Sequence, residues 1–302
     1  MKNLFITHLY RQGNGDIIQL LSNIHNAVSN NAYILFDNSF TRDGIKRPFS
    51  YEEQFAVLEN QIKKIIFWNE VFLDNAPAVN IIYKGRIINS KKHFEFLTDN
   101  NKLFDVATLT KIDLNTEQCK VTYQEDWIDF VKKHNMVFFP STFKHQPKDH
   151  IGLSLRTDYS AYGFDTLDWL ECEYIEQMFQ DQKIKYIDYF IDQSLLQFPS
   201  HKKRFGSWKG QGIAFHVNDT ITNQDIQNFK NFCEDLKTCK FLVCTEGGMS
   251  HMAACMRIPF YIFGNFNRDN EEAFLELWQN YYAPHGIVTE DLITLKERVY
   301  ET

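Results

Sequence analysis

Short apolar runs recur along the whole chain, and most of them are followed by apolar positions spaced with the period of a helix. A short continuous run is typical of a buried strand, and the helical spacing is typical of one buried helix face. Regular alternation of the two predicts an α/β protein with a mostly parallel sheet.

The first half of the chain contains four strand-like runs and two helical stripes. The predicted strands are Leu4–Ile6, Tyr33–Phe36, Val79–Tyr83 and Phe104–Leu109. The predicted helices cover residues 17–28 and 55–66, and a further helix is expected over Trp127–Val131.

The second half repeats this alternation after a segment with prolines and no periodicity, Pro140–His150. The predicted strands are Ile151–Leu155, Ile184–Phe190, Gly212–Val217, Phe241–Cys244 and Phe260–Gly264, and the predicted helices are Leu167–Phe179, the stripe after Thr222, and Met249–Arg257. The aperiodic segment predicts a boundary between two domains, 1–140 and 150–302.

Composition narrows the class of protein. A length of 302 residues suits one large domain or two smaller ones. The net charge of −7 argues against a nucleic-acid binder, which usually carries a basic face. The six cysteines include no C-x-x-C pair, so buried reduced thiols are expected. Neither a signal peptide nor a transmembrane run is evident, and a cytoplasmic protein is the expectation.

The segment after Val243 carries the clearest chemical pattern. A buried strand ends there, Glu246-Gly247-Gly248 forms a turn, and a helix begins near Met249. Glycines allow close approach of a ligand, and the first amides of a helix attract anions, so a pyrophosphate would fit. A plain tight turn, with Glu246 as a favourable charge at the helix N-terminus, explains the same residues equally well.

A resemblance favours the first of these readings. The stretch from Cys239 to Gly264 resembles the donor-site segment of ADP-heptose–lipopolysaccharide heptosyltransferases. That family shows an acidic residue, Thr, Gly, two variable residues and His, then small residues, Pro, and an apolar strand ending in Phe-Gly. Here Glu246, Gly248 and His251 stand at the acidic, glycine and histidine positions. The family's acid is normally Asp, and its Thr is replaced by Gly247.

The resemblance implies two Rossmann-like domains facing a cleft, the GT-B architecture, with the nucleotide diphosphate held by the second domain. The donor-binding residues it implies are Glu246, Gly247, Gly248, Met249, Ser250 and His251. Glu246 would accept hydrogen bonds from the ribose, and His251 would donate to a phosphate.

A second turn, Gly13-Asn14-Gly15-Asp16, follows the first strand and opens a helix. On spacing alone Asp16 is a helix N-cap. The resembled family has a Gly-Asp at this place whose Asp is the general base, which implies that role for Asp16. Gly13, Asn14 and Gly15 would then bind the acceptor.

A third candidate is Arg156, which follows the strand Ile151–Leu155 and precedes Thr157 and Asp158. It would neutralise the leaving diphosphate, although an exposed Arg–Asp pair explains it as well. This stretch also faintly resembles a segment of GDP-fucose-dependent fucosyltransferases. The basic run His201–Lys209 is by default a solvated charge cluster.

No D-x-D, H-E-x-x-H or Walker A motif occurs, so neither a metal nor a cofactor is expected. The resemblance then implies a metal-independent glycosyltransferase that inverts the anomeric centre. Its expected partners are an ADP-heptose-like nucleotide-sugar donor and a bacterial surface-glycan or glycolipid acceptor, with peripheral contact at the inner face of the membrane. The alternatives are a fucosyltransferase-like enzyme using GDP-fucose and a non-catalytic nucleotide-binding protein that kept the fold.

Overall fold

The structure is a computed structural model, and it describes part of the chain. The described residues are 4–8, 14–27, 32–36, 59, 62–83, 86–98, 110–111, 119–122, 132, 137–155, 169–187, 191–192, 214–215, 221–245, 247–263, 278, 286–289 and 297. The chain divides into two compact units, one formed by Met1–Thr142 with His216–Ile226, the other by Phe143–Phe215 with Gln227–Thr302.

The first unit is built on a six-stranded sheet. Its strands are β1 (Leu4–His8), β2 (Ala32–Phe36), β3 (Val79–Tyr83), β4 (Arg86–Asn89), β5 (Thr110–Lys111) and β6 (Cys119–Thr122), in the order β5-β4-β3-β2-β1-β6. Strand β1 pairs in parallel with β2 and β6, and β2 pairs in parallel with β3. The β3–β4 and β4–β5 pairs are antiparallel, so this sheet is mixed.

Helix α1 (Asn14–Ala27) connects β1 to β2 and supplies much of the core of this unit. Its fully buried apolar residues are Ile17, Ile18, Leu20, Leu21 and Ile24. A second helical stretch, residues 62–67, continues into one turn of π-helix, Trp68–Phe72, which is called the π turn below.

The second unit contains a five-stranded, wholly parallel sheet. Its strands are β7 (Ile151–Ser154), β8 (Ile184–Tyr186), β11 (Leu242–Cys244), β12 (Phe260–Phe263) and β13 (Gly286–Thr289), in the order β13-β12-β11-β7-β8. A separate parallel pair joins β9 (Ile191–Asp192) to β10 (Ala214–Phe215). The helices in the second half of the chain are α2 (Trp169–Met178), α3 (Asn223–Leu236) and α4 (Gly248–Met256).

The core of this unit includes a group of three aromatic rings among aliphatic side chains. The ring of Phe241 lies 6.0 Å from that of Phe179 and 5.5 Å from that of Tyr261. Strand β7 is fully buried, and at Gly152 a Cβ would meet the side chains of Ile187 at 2.8 Å and Leu242 at 2.9 Å. This close fit explains a glycine in the middle of a buried strand.

The prediction of an α/β protein with a mostly parallel sheet is confirmed. Helix α4 ends one residue earlier than predicted, because Arg257 adopts a left-handed conformation and its N–H bonds back to Ala254. The strands β4, β5, β6 and β13 were not predicted, because each is short and its polar residues hide any alternation. The predictions for Phe104–Leu109 and Trp127–Val131 lie outside the described residues. Two Rossmann-like domains facing a cleft remain a prediction.

Candidate functional site

The turn from β11 to α4 lies at the carboxyl edge of the parallel sheet. Cys244, the last residue of β11, pairs with Ser154, the last residue of β7. The next residue, Thr245, is buried and donates its N–H to the carbonyl of Ser154 at 3.2 Å. Ligands of open α/β sheets bind outside the carboxyl ends of strands, so this turn occupies the expected position for a ligand.

Gly247 has a backbone conformation that is close to exclusive to glycine. Its φ is 149° and its ψ is −156°. A side chain at this position would be strained, because the Cβ of an L-residue clashes in that region. This gives a physical reason for Gly247 where the resembled family has Thr: the turn of this chain excludes a β-branched residue.

The carbonyl oxygen of Gly247 accepts three hydrogen bonds from the first turn of α4. The hydroxyl of Ser250 donates at 2.8 Å, Nδ1 of His251 at 2.5 Å, and the backbone N–H of His251 at 3.2 Å. The N–H of Gly247 in turn donates to Oγ of Ser250 at 3.1 Å. A glycine has no side chain with which to cap the helix, so the side chain of Ser250 closes the turn instead.

The contact to Gly247 fixes the tautomer of His251. Because a carbonyl only accepts, Nδ1 must carry the proton, and Nε2 of the neutral ring is then an acceptor. The imidazole is 4% exposed, and its ring packs edge-on against Trp278, with centroids 5.0 Å apart. The predicted donation from His251 to a phosphate through Nε2 would therefore require the imidazolium form.

Two amides at the start of α4 have no acceptor within the part of the chain that the structure describes. They are the N–H groups of Gly248 and Met249, both of which are buried residues. The first amides of any helix lack a partner inside the helix, and a buried one is stabilised when an anion binds it. The turn thus combines a glycine-only conformation, two amides without a described acceptor and the positive end of a helix dipole.

Some predicted site residues have no described geometry. Glu246, Arg156 and Gly13 lie outside the described residues. Asp16 is the third residue of α1, and its side chain lies outside the described part as well. Their predicted roles remain predictions.

The predicted acceptor turn in the first unit is partly described, and it contains a contact that the sequence does not reveal. Asn14 and Gly15 are buried at the start of α1. The side-chain oxygen Oδ1 of Asn14 accepts a hydrogen bond of 3.2 Å from the indole Nε1 of Trp68. No pattern around Trp68 indicates this contact, because the two residues are separated by 54 positions.

A buried polar network surrounds the π turn and was also not predicted. Nε2 of His25 donates to Oδ1 of Asn69 at 2.6 Å, because the amide nitrogen of Asn69 is already a donor to other groups. That nitrogen donates to Glu70 and to Pro77, and the hydroxyl of Ser90 donates to Glu70 at 2.7 Å. π-helical turns are rare and often occur at functional sites.

Burial changes the titration of His25. Desolvation lowers the pKa of His25 to about 4; the hydrogen bond to Asn69 opposes this shift, and Lys91 adds to it. At neutral pH His25 is therefore an uncharged ring that holds the π turn.

The described residues contain no group of three or more His, Cys, Asp or Glu side chains arranged to hold a metal ion. In the same residues no helix has the length and apolar character needed to cross a membrane.

Comparison with known proteins gives one structural likeness to report. The chain is similar to an E. coli heptosyltransferase, WaaC, with ADP, over 100% of this chain and 99% of that chain, at 9% identity and a TM-score of 0.36. No protein-family model and no curated protein sequence matches this chain. A likeness at that TM-score carries no argument about activity, so function is inferred from the chain's own residues.

Proposed function

We propose that this chain is a metal-independent glycosyltransferase that moves a sugar from a nucleotide-diphosphate donor to a glycan acceptor. The observation that carries this proposal is the β11–α4 turn, where Gly247 is held in a glycine-only conformation beside two buried amides that have no described acceptor. The residue pattern from Glu246 to His251, with its resemblance to heptosyltransferases, supports the choice of ligand.

The geometry of the turn favours a diphosphate. The N–H groups of Gly248 and Met249 are donors without a described acceptor, and the α4 dipole adds partial positive charge. A phosphate oxygen both accepts hydrogen bonds from these N–H groups and carries the negative charge that the helix dipole attracts. The missing side chain at Gly247 leaves room for its approach. Burial strengthens these contacts, because the surrounding dielectric is low.

The proposed reaction is a single displacement at the anomeric carbon. An acceptor hydroxyl attacks this carbon while the bond between the carbon and the diphosphate oxygen breaks, and the configuration inverts. The carboxylate of Asp16 takes the hydroxyl proton, and the electron pair of the broken bond leaves with the diphosphate. The amides of Gly248 and Met249, with Arg156, would meet the charge on the leaving group.

Donor and acceptor follow from the resemblance. We propose an ADP-heptose-like donor and a bacterial surface glycan or glycolipid as acceptor, with the reaction at the cytoplasmic face of the membrane. The substitution of Glu246 for the family's Asp and of Gly247 for its Thr bears on the donor, so GDP-fucose and other nucleotide sugars belong in the same test.

The first experiment is a thermal-shift and calorimetric screen of the intact chain with ADP, GDP and UDP. A ligand at about 100 times its Kd raises the unfolding free energy by about 2.7 kcal/mol, so selective binding gives a clear shift in Tm. Donor hydrolysis with the corresponding nucleotide sugars then identifies the sugar. Absence of binding by all three nucleotides would contradict the proposal.

The second experiment tests the base. Asp16→Asn should lower kcat by about 10²- to 10⁴-fold with unchanged nucleotide affinity, because a general base contributes that much. Asp181→Asn, on an exposed turn after α2, is the matched control and should keep full turnover. Full turnover by Asp16→Asn would show that Asp16, the third residue of α1, is not the base. Nucleotide binding without transfer from any donor would favour the non-catalytic alternative.

A further inference from the structure

The side-chain amide of Asn14 has a fixed orientation. An indole N–H only donates, so the 3.2 Å contact with Nε1 of Trp68 must be made by the oxygen Oδ1 of Asn14. The NH₂ group consequently faces away from Trp68. Asn14 therefore does not use this side chain as an ordinary free helix cap, since its oxygen is already engaged.

The NH₂ group of Asn14 is buried without a described partner. The residue is 3% exposed, and no acceptor for its amide nitrogen occurs among the residues that the structure describes. Buried donors are almost always paired in folded proteins, and an unpaired one calls for an explanation such as a ligand. This donor, which has no described acceptor, lies at the turn to which the resemblance assigns acceptor binding.

Trp68 is held rigidly enough to impose this orientation. Its side chain is 1% exposed, and its ring contacts Phe67 and Phe72 edge-on, with centroids 5.6 and 5.1 Å away. Trp68 is also the first residue of the π turn. The position of its N–H is therefore set by the surrounding core and not by Asn14.

The next residue, Asn69, anchors the π turn from the other side. Its amide nitrogen donates to Oε1 of Glu70 at 2.6 Å and to the carbonyl of Pro77 at 3.1 Å. Its oxygen accepts from His25 at 2.6 Å. With these bonds made, the π turn cannot rotate to release the indole without breaking buried hydrogen bonds.

The charge of the donor decides the kind of ligand. The NH₂ group of Asn14 is uncharged, and the residue is 3% exposed. An anion buried against it would lose its hydration and gain no opposite charge from this group, which is costly. The NH₂ group therefore suits a neutral oxygen, such as a hydroxyl or ring oxygen of a sugar.

We propose that Asn14 donates a hydrogen bond from its NH₂ group to a neutral oxygen of the acceptor sugar, and that Trp68 is the positioning residue that presents this group. The proposal rests on the proposed function, because that function places a sugar acceptor at this turn. Beyond that function, it names the NH₂ group of Asn14 as the binding group, a neutral oxygen as its ligand, and Trp68 as the residue that orients it.

The experiment uses the indole N–H signals of the ¹⁵N-labelled full chain, which are few because the chain has 5 tryptophans. Trp68→Phe removes one signal and so assigns it, and it retains an aromatic ring in the core. Glucose, galactose and N-acetylglucosamine are then added as probes, with inorganic phosphate as the charged comparison. At least one sugar should shift the Trp68 signal, because a ligand on NH₂ polarises the same amide.

The matched variants are Asn14→Ala and Asn231→Ala, the latter at an exposed position of α3. The shift should disappear in Asn14→Ala and persist in Asn231→Ala. Sugars that leave the signal unmoved, or a shift produced by phosphate alone, would overturn the proposal. This experiment needs no nucleotide-sugar donor. If the chain binds a sugar here but transfers none, the inference about Asn14 stands and the proposed glycosyltransferase reaction fails.

Kinetic measurements distinguish a positioning role of Trp68 from a purely structural one. With an active acceptor, Trp68→Phe should raise the acceptor KM by about three- to tenfold, the effect of one hydrogen bond, with the donor KM unchanged. In the Asn14→Ala background the same change should have no further effect on KM. Additive effects, or a loss of kcat with constant KM, would show that Trp68 only packs.

Discussion

The imidazole of His251 donates a hydrogen bond of 2.5 Å from Nδ1 to the carbonyl oxygen of Gly247, four residues earlier in the chain. This contact joins the first turn of α4 to the one residue of the turn with a glycine-only conformation. The histidine for which the resemblance predicts a phosphate contact thus holds the turn through this hydrogen bond.

Two substitutions at His251 separate the hydrogen bond from the ring contact. His251→Phe keeps a ring against Trp278 but loses the donor, and His251→Asn keeps a donor at the place of Nδ1 but loses the ring. Hydrogen exchange of the amide at position 251, which donates to the carbonyl of Gly247, should become about three- to tenfold faster in His251→Phe and stay near wild type in His251→Asn. Equal exchange in the two variants would assign the turn's stability to packing.

Gly247→Ala should destabilise the protein by about 1–3 kcal/mol, because alanine is strained at a φ of 149°. Gly248→Ala is the neighbouring control, since Gly248 is helical and alanine favours a helix. Urea denaturation measures both. Gly247→Thr, which restores the residue of the resembled family, should cost at least as much as Gly247→Ala. A neutral Gly247→Ala would mean that the turn readily adopts another conformation.

The stability of the protein should fall as the pH drops from about 6.5 towards 4, because of His25. Burial holds the folded-state pKa of His25 at about 4, below the ordinary value of 6.5, so the unfolded chain binds a proton first. The contribution is fully present above pH 6.5 and is lost by about pH 4, with an expected size of about 3 kcal/mol.

The control for this prediction is His25→Gln, which keeps a donor for Asn69 and does not titrate. Other groups titrate in both proteins, so the difference between their stability–pH curves isolates His25. Curves that run parallel from pH 7 to pH 4 would show that His25 is protonated as easily in the folded protein as in the unfolded chain.

Gly152→Ala tests the close packing of β7. The new Cβ would lie 2.8 Å from Cδ1 of Ile187 and 2.9 Å from Cδ1 of Leu242, so neighbouring side chains must shift. Overpacking of this kind costs about 1–3 kcal/mol. Ile187→Val removes one of the clashing methyl groups, and the double variant should therefore be more stable than the sum of the single effects predicts. Simple additivity would indicate that the strand moves instead.

Local features of the site could be predicted from the sequence. The strand ending at Cys244, the glycine turn and the helix that follows are encoded within about a dozen adjacent residues, and hydrophobic period and turn chemistry act over that range. Turn chemistry alone did not distinguish a diphosphate site from a plain tight turn, and the resemblance favoured the diphosphate site. The departure at Gly247 was visible in the sequence, but its cause was not, because a φ angle depends on how the turn is closed.

Contacts between distant segments were beyond the sequence. Trp68 reaches Asn14 across 54 positions, and His25 reaches Asn69 across 44. From the sequence, Trp68 is predicted only as a buried aromatic residue. The π turn that orients its indole has no sequence pattern by which it could be predicted.

The sequence by itself determined the alternation of strands and helices, the parallel sheet and the turn at Gly247, because these depend on neighbouring residues. Only the tertiary structure decided which atom of Asn14 is free to bind and which nitrogen of His251 carries its proton. Both depend on a hydrogen-bond partner that folding brings close, and a side chain's donor and acceptor roles are settled only when that partner is in place.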